Sequence, residues 1–423
     1  MFASLRATLA DRSRALRHRN FRLFWTGQLI SVIGTWMQSV GQGWLMHRLT
    51  DSAWMLGVLG FTQFLPVMLF SLWAGVVADR MDKRRLVLVT QALALVQALA
   101  LAAVVSAGVV QPWMLLVLAF VFGTINAFDL PARQSFLVEM VGKEDLPNAI
   151  ALNSAAFNTA RVVGPAIAGI VVALAGEAWC FWINALSYLV VIAMLRRMDL
   201  IARPITVAGD AASSLLEGVR YVFATPPVRN LLLLLGCMCS LGFQYMTLLP
   251  VYARQILRTG SEAYGLMVSA FGLGSLLSAI VLTRRHDRWR LRRNLQIALV
   301  TAAVGMAVFA WSRALPLTLL MGFAAGFGLI LYVASTNVLL QLTIEDRFRG
   351  RVMSFYTFMF IGTAPIGAIT AGAIAERYSA PVATSMCAVV LLGGALWVTH
   401  RLRVLAAREA AAAPAPEFAE KTE

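Results

Sequence analysis

The chain has 423 residues, of which 59% are hydrophobic and 13% charged, with a mean hydropathy of +0.74 and a formal net charge of +15. A soluble protein carries about a quarter charged residues, so a water-soluble globule is excluded and a bilayer is the natural solvent for this sequence. The surplus positive charge sits at the ends of apolar runs on one side, which argues against a nucleic-acid partner.

The N-terminal stretch is basic, with Arg6, Arg12, Arg14, Arg17, Arg19 and Arg22. The apolar run behind it is too long for a signal peptide and no small-residue cleavage site interrupts it, so it is expected to stay in the mature protein. Apolar runs then predict spans at 21–47, 53–78, 86–108, 113–139, 146–175, 178–196, 229–256, 263–283, 294–312, 316–343, 350–375 and 382–400. Each is near or above the ~20 residues that a helix needs to cross a bilayer. This series puts both termini on one side. One set of loops then holds most of the Lys and Arg, while the other holds only Arg48, Arg254, Arg258, Arg313 and Arg377. Basic loops stay in the cytoplasm, so both termini are expected there. The longest connection, 197–228, divides the chain into an N-terminal half (1–196) and a C-terminal half (229–403). It carries a predicted short interfacial helix at 213–224. An alanine- and proline-rich tail (404–423) reads as disordered.

One charged turn stands out: Gly75-Val-Val-Ala-Asp79-Arg80-Met-Asp82-Lys83-Arg84-Arg85. It separates two spans, so it lies at a membrane face. Asp287-Arg288 and Arg292-Arg293 repeat it at the equivalent place in the second half. The same shift pairs Gly57 with Gly265 and Gly34 with Gly242, which points to an internal duplication. The turn resembles the signature between the second and third helices of the major facilitator superfamily. Gly75, Ala78, Asp79, Arg80, Lys83 and Arg84 match it, whereas Val77 and Asp82 depart from it. The resemblance implies an all-α integral membrane fold, with twelve transmembrane helices in two six-helix bundles related by pseudo-two-fold symmetry. It also implies a gate at this turn. Gly75, Asp79, Arg80, Lys83 and Arg84 would meet the start of the eleventh helix at Gly350 and Arg351, whose free N–H groups attract a carboxylate.

Ionisable residues deep in a span are expensive and face the bundle interior. Here they are Asp129, Arg133 and Arg161, with Glu139 near a span end. Asp129 and Arg133 are four residues apart and share a helix face. Arg161 lies at similar depth in the next span. Two readings stand: an ion pair that locks the fourth span to the fifth, and a proton-coupling site in which Asp129 takes up a proton as Arg133 or Arg161 moves.

Further stretches, Asn20-Phe-Arg-Leu-Phe-Trp-Thr-Gly-Gln28, Gly34-Thr-Trp-Met-Gln38, Ala127-Phe-Asp129-Leu-Pro-Ala-Arg133-Gln134 and Asn148-Ala-Ile-Ala-Leu-Asn153-Ser, look like the enterobactin-exporter-like branch of that superfamily. The resemblance implies a multi-pass protein of the bacterial inner membrane that exports a small amphipathic organic molecule, siderophore- or drug-like, by proton-driven alternating access. Proton-coupled import and lipid scrambling are the alternatives. Gly164-Pro165 and Gly169 are similar to the superfamily's antiporter signature, and Pro365 matches Pro165 in the second half, so matched helix kinks are expected. The resemblance also places certain spans around a central cavity. Its expected lining is Gln28, Trp36, Gln38, Gln42, Asn126, Asn153, Asn158, Gln244, Tyr245, Tyr332, Asn337 and Tyr356. Any single amide there serves equally as interhelical glue. The four cysteines, Cys180, Cys237, Cys239 and Cys387, lie within apolar runs and lack metal-ligand spacing. No nucleophile, acid pair or phosphate loop stands out, so the chain reads as neither an enzyme nor a cofactor protein. Its expected partners are a small-molecule substrate, protons and lipid, and it is expected to act as a monomer.

Overall fold

The computed structural model describes residues 13–199, 211–282, 288–345 and 348–412. Arg6, Arg12, linker residues 200–210, Asp287 and the tail after Ala412 lie outside them, as does the side chain of Asp79. The described residues are helical with short connections. The helices are α1 (Arg19–Thr50), α2 (Ala53–Arg80), α3 (Lys83–Ser106), α4 (Pro112–Ala175), α5 (Glu177–Arg196), α6 (Ala211–Ala224), α7 (Pro226–Gly242), α8 (Ser261–Leu282), α9 (Arg288–Trp311), α10 (Leu315–Thr343), α11 (Arg349–Thr357), α12 (Ala364–Arg377) and α13 (Ala380–Ala412).

Ten segments among these residues are long and apolar enough to cross a membrane. Helix α1 is long enough but does not reach that hydropathy, because it carries Gln28, Gln38, Gln42 and His47 and buries all four. The outer surface is apolar: Leu174 is 84% exposed, Val389 68% and Leu396 64%. Such side chains are stable outward only against lipid. Trp54, Trp113, Trp179, Trp182 and Trp311 are exposed at the end of the bundle opposite the basic turns. Amphipathic rings favour that depth, where headgroups meet hydrocarbon.

Three predicted boundaries differ from the structure. No loop separates the fourth and fifth predicted spans. Helix α4 runs on for 64 residues and departs from helical geometry only at Gly142, with φ 73° and ψ −178°. That region is essentially closed to residues with a Cβ, so one glycine does the work of a loop. The N-terminal turn is fastened over this bend: the Ala15 amide donates to Asn148 Oδ1 at 2.9 Å, and His18 Nε2 lies 2.8 Å from Asp145 Oδ2. The seventh predicted span breaks after Gly242 into a 3-10 turn (Gln244–Leu248), a short helical turn and a π turn (Tyr252–Ile256). The last helix continues to Ala412 rather than ending at 403, through an alanine-rich run of high helix propensity.

The expected matched kinks are also unequal. Pro365 follows a π turn at Phe358–Gly362, where the helix widens ahead of the missing N–H. Pro165 sits in backbone that stays helical. Its lost hydrogen bond frees the Arg161 carbonyl, against which Gly272 of α8 packs closely.

The two halves meet along two seams, α2 against α12 and the later limb of α4 against α8. Both are built from small residues that bring backbones into contact. A Cβ added at Gly57 would lie 2.7 Å from the Ala368 carbonyl oxygen and 2.9 Å from Gly372 Cα. One added at Gly265 would lie 2.3 Å from the Pro165 carbonyl oxygen and 3.0 Å from Gly169 Cα. These two glycines are the pair that the internal repeat matches.

Candidate functional site

Asp129 lies on the first limb of α4 and is 2% exposed. Its Oδ2 pairs with Arg133 Nη2 at 2.6 Å, the contact expected from their four-residue spacing. The other oxygen turns toward α3. The Thr90 hydroxyl and the Gln91 side-chain amide donate to Oδ1 at 2.6 and 3.1 Å. Arg133 also donates to Gln28 Oε1 on α1. The carboxylate therefore ties α4 to α3 directly and to α1 through Arg133. Gln28 Nε2 and Gln91 Oε1 of this network are buried and make no hydrogen bond. Thr90 and Gln91 were not among the expected residues. Their signal was a hydroxyl next to an amide in an otherwise apolar span.

Arg161 is not a partner of Asp129. It packs over the rings of Phe157 and Trp36, with Cζ 5.0 and 5.8 Å from their centroids. It makes no ion pair among the described residues, and its Nε is buried without a hydrogen-bond partner. The expected lock between the fourth and fifth spans is thus replaced by one between α4, α3 and α1. The spans as predicted put Arg161 at the depth of Asp129, but in the structure Arg161 meets Trp36, eight residues and about 12 Å along α1 from the Gln28 that holds Arg133.

Several expected cavity residues are bundle glue or core instead. Gln38 donates to Gln97 Oε1 at 3.2 Å and accepts from Asn184 Nδ2 at 2.8 Å, fully buried between α1, α3 and α5. Gln42 donates to the Leu115 carbonyl at 3.1 Å. Tyr245 packs against Phe271 and Phe309, and Tyr332 is 1% exposed. The Tyr356 hydroxyl donates to the Val333 carbonyl at 3.2 Å. Gln244 is buried, and Asn337 accepts from Gln341 Nε2 at 2.6 Å. Asn158 donates to the Ser154 carbonyl at 2.9 Å, and Trp36, Asn126 and Asn153 are partly buried. What the structure does bring together near the junction of the halves is Trp36, Phe157 and Arg161.

The signature turn is organised within its own half. Asp82, where the superfamily pattern has glycine, caps α3 by accepting from the Arg85 amide at 2.7 Å. Lys83 lies 3.7 Å from Glu139, and Arg84 donates to the Leu195 and Arg196 carbonyls at the end of α5. Glycines 75 and 350 each face open space, and Arg80 is exposed. On the opposite side of the expected gate, Arg351 pairs with Glu217 of α6, and Phe348 stacks on Tyr221 at 4.1 Å.

Among the described residues, the hydrogen bonds and ion pairs that join the halves gather at the end away from this turn. Arg254 lies 3.5 Å from Asp51 and donates to the His47 carbonyl at 3.2 Å. Glu376 accepts from the Ser52 hydroxyl at 3.0 Å and the Trp54 amide at 3.1 Å. The Ser261 and Ser269 hydroxyls donate to the Gly169 and Val162 carbonyls at 3.0 and 2.7 Å. Trp44 stacks on Tyr264, with centroids 6.2 Å apart.

The sequence profile of a family described as transmembrane secretion effector, within the major facilitator superfamily, matches residues 12–422. The chain belongs to this family. It is a membrane transporter and not an enzyme. Two relatives are the multidrug efflux pump Tap of Mycolicibacterium fortuitum, 27% identical over 79% of this chain and 83% of that one, and the enterobactin exporter EntS of Escherichia coli O1:K1 / APEC, 23% identical over 87% and 88%. The expected likeness to the enterobactin-exporter branch holds across both halves. The fold is shared with a bacterial homologue of the human lysosomal transporter Spinster, solved in an inward-facing and occupied conformation. The TM-score is 0.74, the identity 12%, and the match covers 91% of this chain and 97% of that one.

In this secretion-family transporter the Glu376 contact is testable by itself. Glu376 brings a charge from the second half to the positive N-terminus of α2, an interaction of about 0.3–1 kcal/mol. Glu376→Gln is expected to speed hydrogen exchange at the Trp54 amide about two- to five-fold in the segment 52–58. Unchanged exchange would show that the contact does not hold the halves together.

Proposed function

We propose that this transporter is a proton-driven exporter of a small amphipathic organic molecule, siderophore- or drug-like, and that it works as a monomer by alternating access. Twelve crossings in two six-helix bundles suit this reading, with α4 crossing twice about Gly142 and α1 joining the more apolar segments. The basic end, with both termini, faces the cytoplasm, as the Lys and Arg asymmetry of the loops favours. In that frame the glycine seams and the Arg254 and Glu376 contacts close the periplasmic end, and substrate enters from the cytoplasm.

One observation carries the coupling: a mid-span carboxylate, 2% exposed, is held by one arginine and by neutral donors from a different helix. Movement of α1 against α4 can draw the Arg133 side chain away through its bond to Gln28, which leaves a carboxylate in low dielectric without its counter-ion, a state that a proton relieves. Asp129 is then the proton-carrying group, and Gln28 and Gln91 flank it. Export of siderophores or drugs follows the activities for which EntS and Tap are named.

The test is efflux of ethidium from energised cells that express the transporter, with and without a protonophore. Expressing cells should lose dye several-fold faster than controls, and the protonophore should abolish the difference. A difference that survives the protonophore overturns proton coupling. Gradient-dependent accumulation would make the protein an importer.

A further inference from the structure

We propose that Arg161 is an anion-binding residue and that the exported molecule bears a carboxylate next to a flat apolar group; this rests on the export reading above. Arg161 is a cation at mid-span that has no carboxylate partner among the described residues. Its guanidinium offers five N–H donors in a planar fork, and its buried Nε meets no acceptor among the described residues. Among the described residues, the groups that compensate it are the rings of Phe157 and Trp36, at 5.0 and 5.8 Å. Cation–π contacts recover only part of the cost of removing a charge from water. The mid-span carboxylate does not serve it: Asp129 is held by Arg133, Thr90 and Gln91. Arg133 is held near Gln28, and Trp36 is eight residues further along α1, about 12 Å away along the helix axis. The two arginines are therefore separate sites, one paired and one open.

The place also suits a ligand. Arg161 lies where α4 crosses α8, with its carbonyl against Gly272. Trp36 leans on Gly164, so α1, α4 and α8 all meet there. Movement of the halves about this crossing changes the surroundings of the guanidinium, as binding in an alternating-access cycle requires. The side chain keeps partial exposure although its Nε is buried. A planar fork beside two aromatic rings matches a carboxylate attached to an aromatic or other flat apolar body: the fork takes two oxygens and the rings take the body.

The probes are 2-naphthoate and the neutral 2-naphthamide, in equilibrium dialysis against the full chain in lipid nanodiscs with empty nanodiscs as the blank. The wild-type protein should bind the carboxylate at least about tenfold more tightly than the amide. Arg161→Gln should erase that preference and leave amide binding in place. Arg161→Lys should keep an intermediate preference, because the charge remains and the planar fork is lost. Equal wild-type affinities, binding of neither probe, or a preference that survives Arg161→Gln would overturn the site. If Arg161→Gln is not monodisperse, the wild-type preference and its reduction in Arg161→Lys decide the question. No gradient is present in this assay. Failure here with protonophore-sensitive efflux intact overturns the anion site alone, and the converse overturns the export reading alone.

Discussion

Asp129→Asn is expected to reduce gradient-driven efflux at least tenfold and to flatten its dependence on external pH, while leaving the protein folded. The amide keeps the size of the carboxylate and an acceptor for Thr90 and Gln91. What it loses is the charge that pairs with Arg133 and the ability to carry a proton. An unpaired buried cation costs several kcal/mol. Arg133 is 22% exposed at its side chain, however, so it can reorient toward water and limit the damage to the fold. In the wild-type protein efflux should rise as the external medium is made more acidic, because protonation from that side drives the cycle. In the variant, movement of substrate down its own gradient should persist. Full uphill efflux by Asp129→Asn would leave the residue as a structural pin between α4 and α3, and coupling would have to reside elsewhere.

Gly265→Val should have the other large effect, on conformation. A Cβ at this position would stand 2.3 Å from the Pro165 carbonyl oxygen, so the seam between α4 and α8 cannot close around it. Overpacking of this kind costs about 1–3 kcal/mol, which lowers the ratio of closed to open arrangement by roughly five- to 150-fold. Spin labels at Gln111 and Arg313, both exposed at that end, read out the change in a background without the four native cysteines. The distance distribution should broaden toward longer separations and transport should fall with it. Gly57→Val, at the repeat-equivalent position of the other seam, should act the same way. An unchanged distribution in both variants would show that the seams tolerate bulk and do not gate.

Much of this was legible in the residues. Long apolar runs announce helices in lipid, because each backbone group must find its partner within its own segment. The four-residue spacing of Asp129 and Arg133 was enough to pair them, since such residues share a helix face. The repeat that matches Gly57 with Gly265 marked both seams in advance, although only the structure revealed that they were seams. Gly142 was less legible: a single positive-φ glycine replaced the loop that the charges around it suggested.

Other features were decided by tertiary structure. Asp129 took Thr90 and Gln91 as partners rather than Arg161, and Tyr245, Tyr332 and Gln38 went into the bundle interior rather than to a cavity wall. The reason is geometric. Counting residues at about 1.5 Å per step locates a side chain along the membrane normal. The direction in which it points, and the helix it meets there, depend on how each helix is rotated and crossed against its neighbours. Polarity is written locally in this chain, whereas depth also depends on where each helix starts and bends, as the separation of Arg161 from the Gln28–Arg133 contact shows. Rotation is settled only when the small residues of α2, α4, α8 and α12 close on one another, and that closure left Arg161 facing Trp36 and Phe157 instead of a carboxylate.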